Sequence, residues 1–235
     1  MRKAALFIAL LPLLGGCQQW KRLTGDDGPR SEYGMPVNDP IPSVSDVETY
    51  LLMGQSNMVG IDAAEFSPHP SITALHFTQG LRGTGYAYGL ERAKLGKTVI
   101  LIQCAVGGSP MSEWDGGDLY DECMERAEGH KITAALFWQG ESDSWYPEKV
   151  DIWAQRFESM VTNLRKRFTE IPVLYVQITE KPEDVLRERL RVIQAQISLP
   201  NVRMASSEGV PQIGDHTSLE GHVMVASRMA QATWW

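Results

Sequence analysis

Four short segments of this chain carry residue types that could do chemistry together. They are Gly54-Gln55-Ser56-Asn57-Met58, Ala105-Val106-Gly107-Gly108-Ser109, Trp138-Gln139-Gly140-Glu141-Ser142-Asp143 and Gly214-Asp215-His216-Thr217-Ser218-Leu219-Glu220-Gly221-His222. The first three each follow an apolar run, and the fourth precedes an amphipathic one. Taken singly, each has an ordinary structural explanation. Ser56 could cap a helix, Gly107 and Gly108 could be turn residues with positive φ, Gln139 and Glu141 could belong to a solvated turn, Asp215 could cap the last helix, and His222 falls where a helical face would present it. Together they supply what acyl transfer to a serine requires: a hydroxyl, an imidazole to take its proton, a carboxylate to orient the imidazole, and fixed N–H donors for the oxyanion.

The elements that must position these segments are legible as alternating short apolar runs and helical stretches. Val47 to Met53, Ile72 to Phe77, Thr98 to Cys104, Ile132 to Trp138, Val173 to Ile178 and Val202 to Ala205 read as strands. Tyr86 to Leu95, Lys149 to Phe168, Glu183 to Ile197 and Leu219 to Ala232 read as helices. The helix from Lys149 presents Ile152, Trp153, Phe157, Met160, Val161, Leu164 and Phe168 at near three-and-four spacing, an apolar face that should cover a sheet. Near-continuous apolar strands alternating with helices predict an α/β fold, a three-layer α/β/α sandwich with a mainly parallel central sheet. In such a sheet ligands bind beyond the carboxyl ends of the strands, where these segments lie.

Composition narrows the function. The 235 residues carry 22 Lys plus Arg against 29 Asp plus Glu, a formal charge of -7, so no general field favours nucleic acid. Hydrophobic content of 43% and charged content of 22% are globular values. No apolar run approaches the roughly 20 residues of a spanning helix. Arg2 and Lys3 precede an apolar stretch from Ala4 to Leu14 that ends Leu14-Gly15-Gly16-Cys17, which resembles the lipobox of bacterial lipoprotein signals. Residues 1–17 are therefore expected to be a lipoprotein-type signal peptide, with Cys17 lipidated and the only membrane attachment through that lipid. Gln18 after the Cys, not Asp, resembles an outer-membrane sorting context; otherwise the chain would be periplasmic or secreted. Residues 18–46, rich in Pro, Gly, Asp and Ser, read as a flexible tether, and 47–235 as the folded domain. Cys104 and Cys123 could pair in an oxidising compartment, or Cys104 could be a small buried hydrophobe. No Cys/His cluster suggests a metal, and no cofactor is expected.

Ser56 does not sit in G-x-S-x-G, so the α/β-hydrolase elbow is not the template. The segments instead resemble the SGNH (GDSL-like) hydrolases, in their sialate O-acetylesterase and acetylxylan esterase branch. GQSNM resembles the nucleophile block, AVGGSPMSEW the glycine block, FWQGESD the third block and HTSLEGH the terminal histidine block, in the right order from Val47 onward. The resemblance implies a flavodoxin-like sandwich, Ser56 as nucleophile and His216 as general base. It implies an oxyanion hole from the Ser56 and Gly108 N–H groups and the Gln139 side chain, with Asn57 organising the loop. His222 is the rival imidazole, but His216 falls at the family's histidine position. His69, His76 and His130 have no comparable setting. The family commonly places an Asp three residues before this His, where this chain has Ile213. The triad acid is expected to be Glu141, reaching from the facing loop, with Asp215 the alternative, since adjacent side chains in an extended loop point apart.

The implied activity is removal of O-acetyl groups from a carbohydrate, whether a sialic acid, a xylan or another acetylated polysaccharide. Trp114 and Trp145, beside the site loops, are candidate platforms for a sugar ring, whereas Trp138 closes a strand and reads as core. The alternatives are an inactive surface carbohydrate-binding lipoprotein on the same fold, and a lipase or thioesterase of the same superfamily.

Overall fold

The computed structural model describes residues 46–235. The expected leader and, but for Asp46, the tether lie outside them. Six strands form one sheet in the order β2-β3-β1-β4-β5-β6: β1 Val47–Gly54, β2 Ile72–Leu75, β3 Thr98–Gln103, β4 Ala134–Trp138, β5 Val173–Val176 and β6 Val202–Ala205. Every pairing is parallel, from Val47 opposite Thr98 to Gly54 opposite Trp138. Every residue of β1 after Val47 is buried, as a strand covered on both faces must be, whereas β2 and β6 at the edges are only partly buried.

Leu52 and Tyr50 of β1 point to the face carrying α2 (Gly83–Lys94) and α7 (Leu219–Ala232), where Tyr50 meets Tyr88 edge-on at 5.1 Å. The opposite face is covered by α5 (Pro147–Arg167), with α6 (Val185–Ala195) packed beside it. There Trp153 stacks on Phe157 at 5.1 Å, and Phe157 meets Phe137 at 5.7 Å and Tyr175 at 4.9 Å. The three-layer α/β/α sandwich is thus the observed architecture. On α5, Val150 belongs to the buried face and Ile152 does not: at 38% exposure it lies one residue, about 100° of helical turn, from Trp153.

The sequence pattern passes over three small elements. These are α3 (Met111–Trp114), α4 (Asp118–Arg126) and a hairpin of β7 (Gln212–Ile213) with β8 (His216–Thr217). The acidic α4 has few apolar residues, and two-residue strands carry no period. Cys104, just past β3, is joined to Cys123 of α4 by a disulfide with a Cα–Cα distance of 5.2 Å, so the pairing left open by the sequence is made. Among the described residues no helix is long and apolar enough to cross a membrane.

Candidate active site

Strand β1 lies between β3 and β4, where the chain reverses its march across the sheet, the position at which such sheets form a binding crevice. It can end against β4 only because residue 54 is glycine: φ is +116°, and a Cβ there would lie 2.0 Å from the Trp138 carbonyl oxygen. Gln55 then donates its N–H to that oxygen at 2.8 Å, and Ser56 opens the short helix α1 (Ser56–Val59). Gln55, not Ser56, holds the N-cap position, and no side chain caps the helix. Capping therefore does not account for the serine. As the first helical residue, Ser56 has no intrahelical acceptor for its N–H.

The glycine loop is fastened to this strand end. Val106 N–H donates to the Gly54 carbonyl at 3.0 Å, the Ser109 hydroxyl donates to the same oxygen at 3.2 Å, and Ser109 Oγ accepts from Trp114 Nε1 at 3.0 Å. Gly108 has φ +73°, open space where a Cβ would be, and an exposed position in the loop.

Behind these loops lies a buried amide network. Gln55 Oε1 accepts from the Ser142 hydroxyl at 2.7 Å, and Gln139 Oε1 accepts from Trp153 Nε1 at 2.8 Å. Gln139 Nε2 donates to the Asp143 carboxylate and to the Ser109 carbonyl. Fully buried and so bonded, Gln139 braces the third loop, and its Nε2 would have to release one of these partners to reach a substrate oxygen. Asp143, which the sequence reading did not single out, also accepts from Met111 N–H at 2.9 Å; burial raises its carboxyl above the usual range, with those bonds opposing.

The histidine strand β8 is held against the nucleophile segment. Asn57 Oδ1 accepts from Thr217 N–H at 2.9 Å, and Asn57 Nδ2 donates to Glu141 Oε1 at 2.8 Å, so Asn57 organises the loop as expected of it. Glu141 Oε1 also accepts from Trp138 Nε1 at 3.0 Å. Neither carboxylate named from the sequence is hydrogen-bonded to His216. Glu141 lies beneath Asn57, while Asp215 turns outward to Lys181 Nζ at 2.9 Å, a bond that holds its carboxyl below the usual range. The carboxylate against His216 is Asp62, whose Oδ2 lies 2.7 Å from Nδ1.

His222 is fully buried, its Nδ1 2.8 Å from the Thr84 hydroxyl and its ring edge-on to Trp138. Burial, aided by the positive field of His216, pushes it down to about 4, so it is neutral and out of reach of substrate at neutral pH. Trp114 is fully buried against Phe137 and cannot be a sugar platform, which corrects that expectation; Trp145 is 66% exposed and remains available. A polar cavity of about 220 Å³ opens beside the glycine loop, lined in part by His76, Gln79, Gln103, Gly107 and Arg126.

A six-stranded parallel sandwich with a serine after β1, a glycine loop after β3 and a histidine before the last helix is the arrangement that the resemblance to the SGNH hydrolases implies. A sequence model described as carbohydrate esterase, sialic acid-specific acetylesterase, matches residues 76–235, and the chain belongs to that family. It is a carbohydrate esterase, a carboxylic ester hydrolase. An Arabidopsis thaliana protein described as a probable carbohydrate esterase is 26% identical over 259 aligned residues, which take in 88% of this chain and 95% of the relative. Among solved structures, an Arabidopsis thaliana protein superposes with a TM-score of 0.70 at 24% identity, covering 80% of this chain and 97% of that one. A carbohydrate acetylesterase from Xanthomonas citri gives 0.63 at 20% identity, covering 79% of this chain and 55% of that one.

Proposed function

We propose that this esterase removes O-acetyl groups from a carbohydrate through an acyl-enzyme on Ser56, with an acetylated sialic acid, xylan or similar polysaccharide as substrate. Ser56 Oγ attacks the acetyl carbonyl while His216 Nε2 takes its proton. The tetrahedral oxyanion is met by the Ser56 and Gly108 N–H groups; Gln139 joins them only by giving up its bond to Ser109. Collapse breaks the ester bond, and His216 returns the proton to the sugar oxygen that leaves. Water, deprotonated by His216, then attacks the acetyl-serine; the acyl–Oγ bond breaks, His216 returns that proton to Ser56 Oγ, and acetate leaves. The observation that carries this reading is the Asn57–Thr217 bond, which ties the residue after Ser56 to the residue after His216 at 2.9 Å. Trp145 and the polar cavity beside Gly107 offer a stacking face and hydrogen-bonding groups for a sugar.

Acetate release from an acetylated chromogenic ester, then from acetylated xylan and O-acetyl sialic acid, tests the activity and ranks the substrates. Ser56→Ala should lower the rate by on the order of 10³-fold or more with the melting temperature nearly unchanged. A variant that keeps full activity removes Ser56 from the mechanism, and a wild type that releases no acetate favours a sugar-binding role. The same reading puts the enzyme outside the cytoplasm, on a lipid at Cys17. The Cys104–Cys123 disulfide supports an oxidising compartment. Fractionation of the full chain against Cys17→Ser should move it from membranes to the soluble or uncleaved pool, and identical partitioning of the two would sink the anchor.

A further inference from the structure

Among the described residues, the carboxylate hydrogen-bonded to the His216 imidazole comes from the turn that carries Ser56. From this we propose that Asp62 is the positioning carboxylate for His216, in place of the acid the family puts three residues before its histidine; the inference rests on the serine-esterase reading above. The position that acid would occupy is Ile213. It is paired directly with His216 across the β7–β8 hairpin, so its side chain shares the imidazole's face, yet it is 55% exposed and has no acceptor to offer. Asp215 is turned to Lys181, and the Glu141 Oε1 atom is bonded by Asn57 and Trp138. Asp62 Oδ2 lies 2.7 Å from Nδ1. A carboxylate there accepts the Nδ1 proton, which fixes the tautomer and leaves Nε2 as the lone-pair nitrogen for the serine proton.

The turn that carries Asp62 is well suited to the task. The Ser56 carbonyl accepts from Gly60 N–H at 2.8 Å and Ile61 N–H at 3.2 Å, so the nucleophile and the residues just before Asp62 share one hydrogen-bonded turn. That turn grips consecutive residues of β8, His216 through Asp62 and Thr217 through Asn57. Asp62 has φ +63°, a left-handed conformation that Asp and Asn tolerate better than most residues, so Asp62→Asn removes the charge while keeping the backbone. The Asp62 side chain is 59% exposed, which screens its charge and makes its chief effect the orientation of the ring. The other titratable groups coupled to His216 are Asp215, already paired with Lys181, and the neutral His222.

Full-length wild type, Asp62→Asn, Ser56→Ala and the double variant Asp62→Asn/Ile213→Asp should be compared on one activated acetate ester across pH, with melting temperatures. Asp62→Asn should lower kcat by about 10²–10⁴-fold with little change in KM. Ile213→Asp in that background should regain at least about tenfold by supplying a carboxylate on the face of its cross-strand partner. Independently of turnover, ¹⁵N NMR of the resting wild type should show the Nδ1–H tautomer of His216, with that preference lost in Asp62→Asn. The proposal is overturned if Asp62→Asn stays within about threefold of wild type while Ser56→Ala is inactive, an outcome that leaves the esterase reading standing. It is equally overturned if the resting wild type holds His216 as Nε2–H, or if activity is lost without rescue and with the tautomer preference unchanged, which would make Asp62 a loop brace. A wild type with no acetate release overturns the esterase reading, and the tautomer measurement then decides the Asp62 contact by itself.

Discussion

Strand β1 has a carboxylate near each end, beside a basic side chain in both cases. Near its amino end, Glu48 accepts from Arg92 Nε at 2.7 Å and Nη2 at 2.6 Å and from the Tyr50 hydroxyl at 2.6 Å, with both partners of the ion pair less than a tenth exposed. Beyond its carboxyl end, Asp62 meets His216 by a single bond, with side-chain exposures of 59% and 26%. The first pair is bidentate, sealed and of fixed charge. The second is a single contact that stays open to solvent. The same contrast runs through the surroundings. Of the five buried side-chain atoms without a partner among the described residues, Glu141 Oε2, Thr217 Oγ1 and His222 Nε2 belong to the carboxyl-end loops and the helix after them. A stable pair has its polar groups matched; a working site keeps groups in reserve, and the cost of that is borne by the rest of the fold.

The largest effect that would break this contrast is at the amino end. Burial raises the Glu48 carboxyl, but the bonds from Arg92 and Tyr50 outweigh it and hold the group below its usual range, while the Glu48 bond holds the guanidinium above its own. Glu48→Ala leaves Arg92 buried and uncompensated and should destabilise the fold by about 3–5 kcal/mol in denaturant titration, with kcat per folded molecule unchanged. The double replacement Glu48→Met/Arg92→Met should recover most of that loss, because two matched apolar side chains leave no stranded charge. If Glu48→Ala lowers kcat per folded molecule as strongly as it lowers stability, the two ends are coupled and the contrast fails.

A second test separates the two histidines. His222 is held at about 4 in the fold, against roughly 6.5 in the unfolded chain, so protons favour the unfolded state. Its contribution is absent above about pH 6.5 and grows as pH falls to about 4, where it reaches about 3 kcal/mol of lost stability. His222→Gln, measured by chemical unfolding at pH 7 and pH 4, should shrink the difference between the two by about that amount. Carboxylates such as Glu48 will still contribute acid sensitivity of their own. An unchanged pH dependence would mean that His222 is already charged or already solvated in the native state.

The contrast also explains what was legible in the sequence. Apolar runs of strand length and one strongly amphipathic helix are local signals, and β6 and α7 begin and end where the pattern puts them. That the Ser56 and His216 loops meet was legible through the resemblance, and the Asn57–Thr217 bond does join them. The partners of His216 were not legible, because a hydrogen bond across 154 positions leaves no mark in local spacing. The one signal for Asp62 was negative: with Ile213 where the family has an acid, some other loop near Ser56 had to supply the carboxylate. Trp114 and Gln139 show the converse. Both stand in or beside segments that read as exposed, and both are fully buried, through contacts with the glycine loop and α5 that exist only once the layers have packed.

The smallest expected effect sharpens the comparison most cheaply. Asp215 is the covalent neighbour of His216 and, read from the sequence alone, one of two candidates for its acid. Its carboxylate instead lies 2.9 Å from Lys181 Nζ and 3.8 Å from Arg187 Nη1, and its side chain is 62% exposed. Solvent screens such a pair, so its stabilising contribution should be under about 1 kcal/mol. Residues 215 and 216 occupy a hairpin turn and the strand that follows it, and only His216 faces its cross-strand partner Ile213. Asp215→Asn should therefore change kcat/KM on an activated acetate ester by less than about twofold. A drop of tenfold or more, about 1.4 kcal/mol of barrier, would show that the loop rearranges in solution and that Asp215 reaches the imidazole after all.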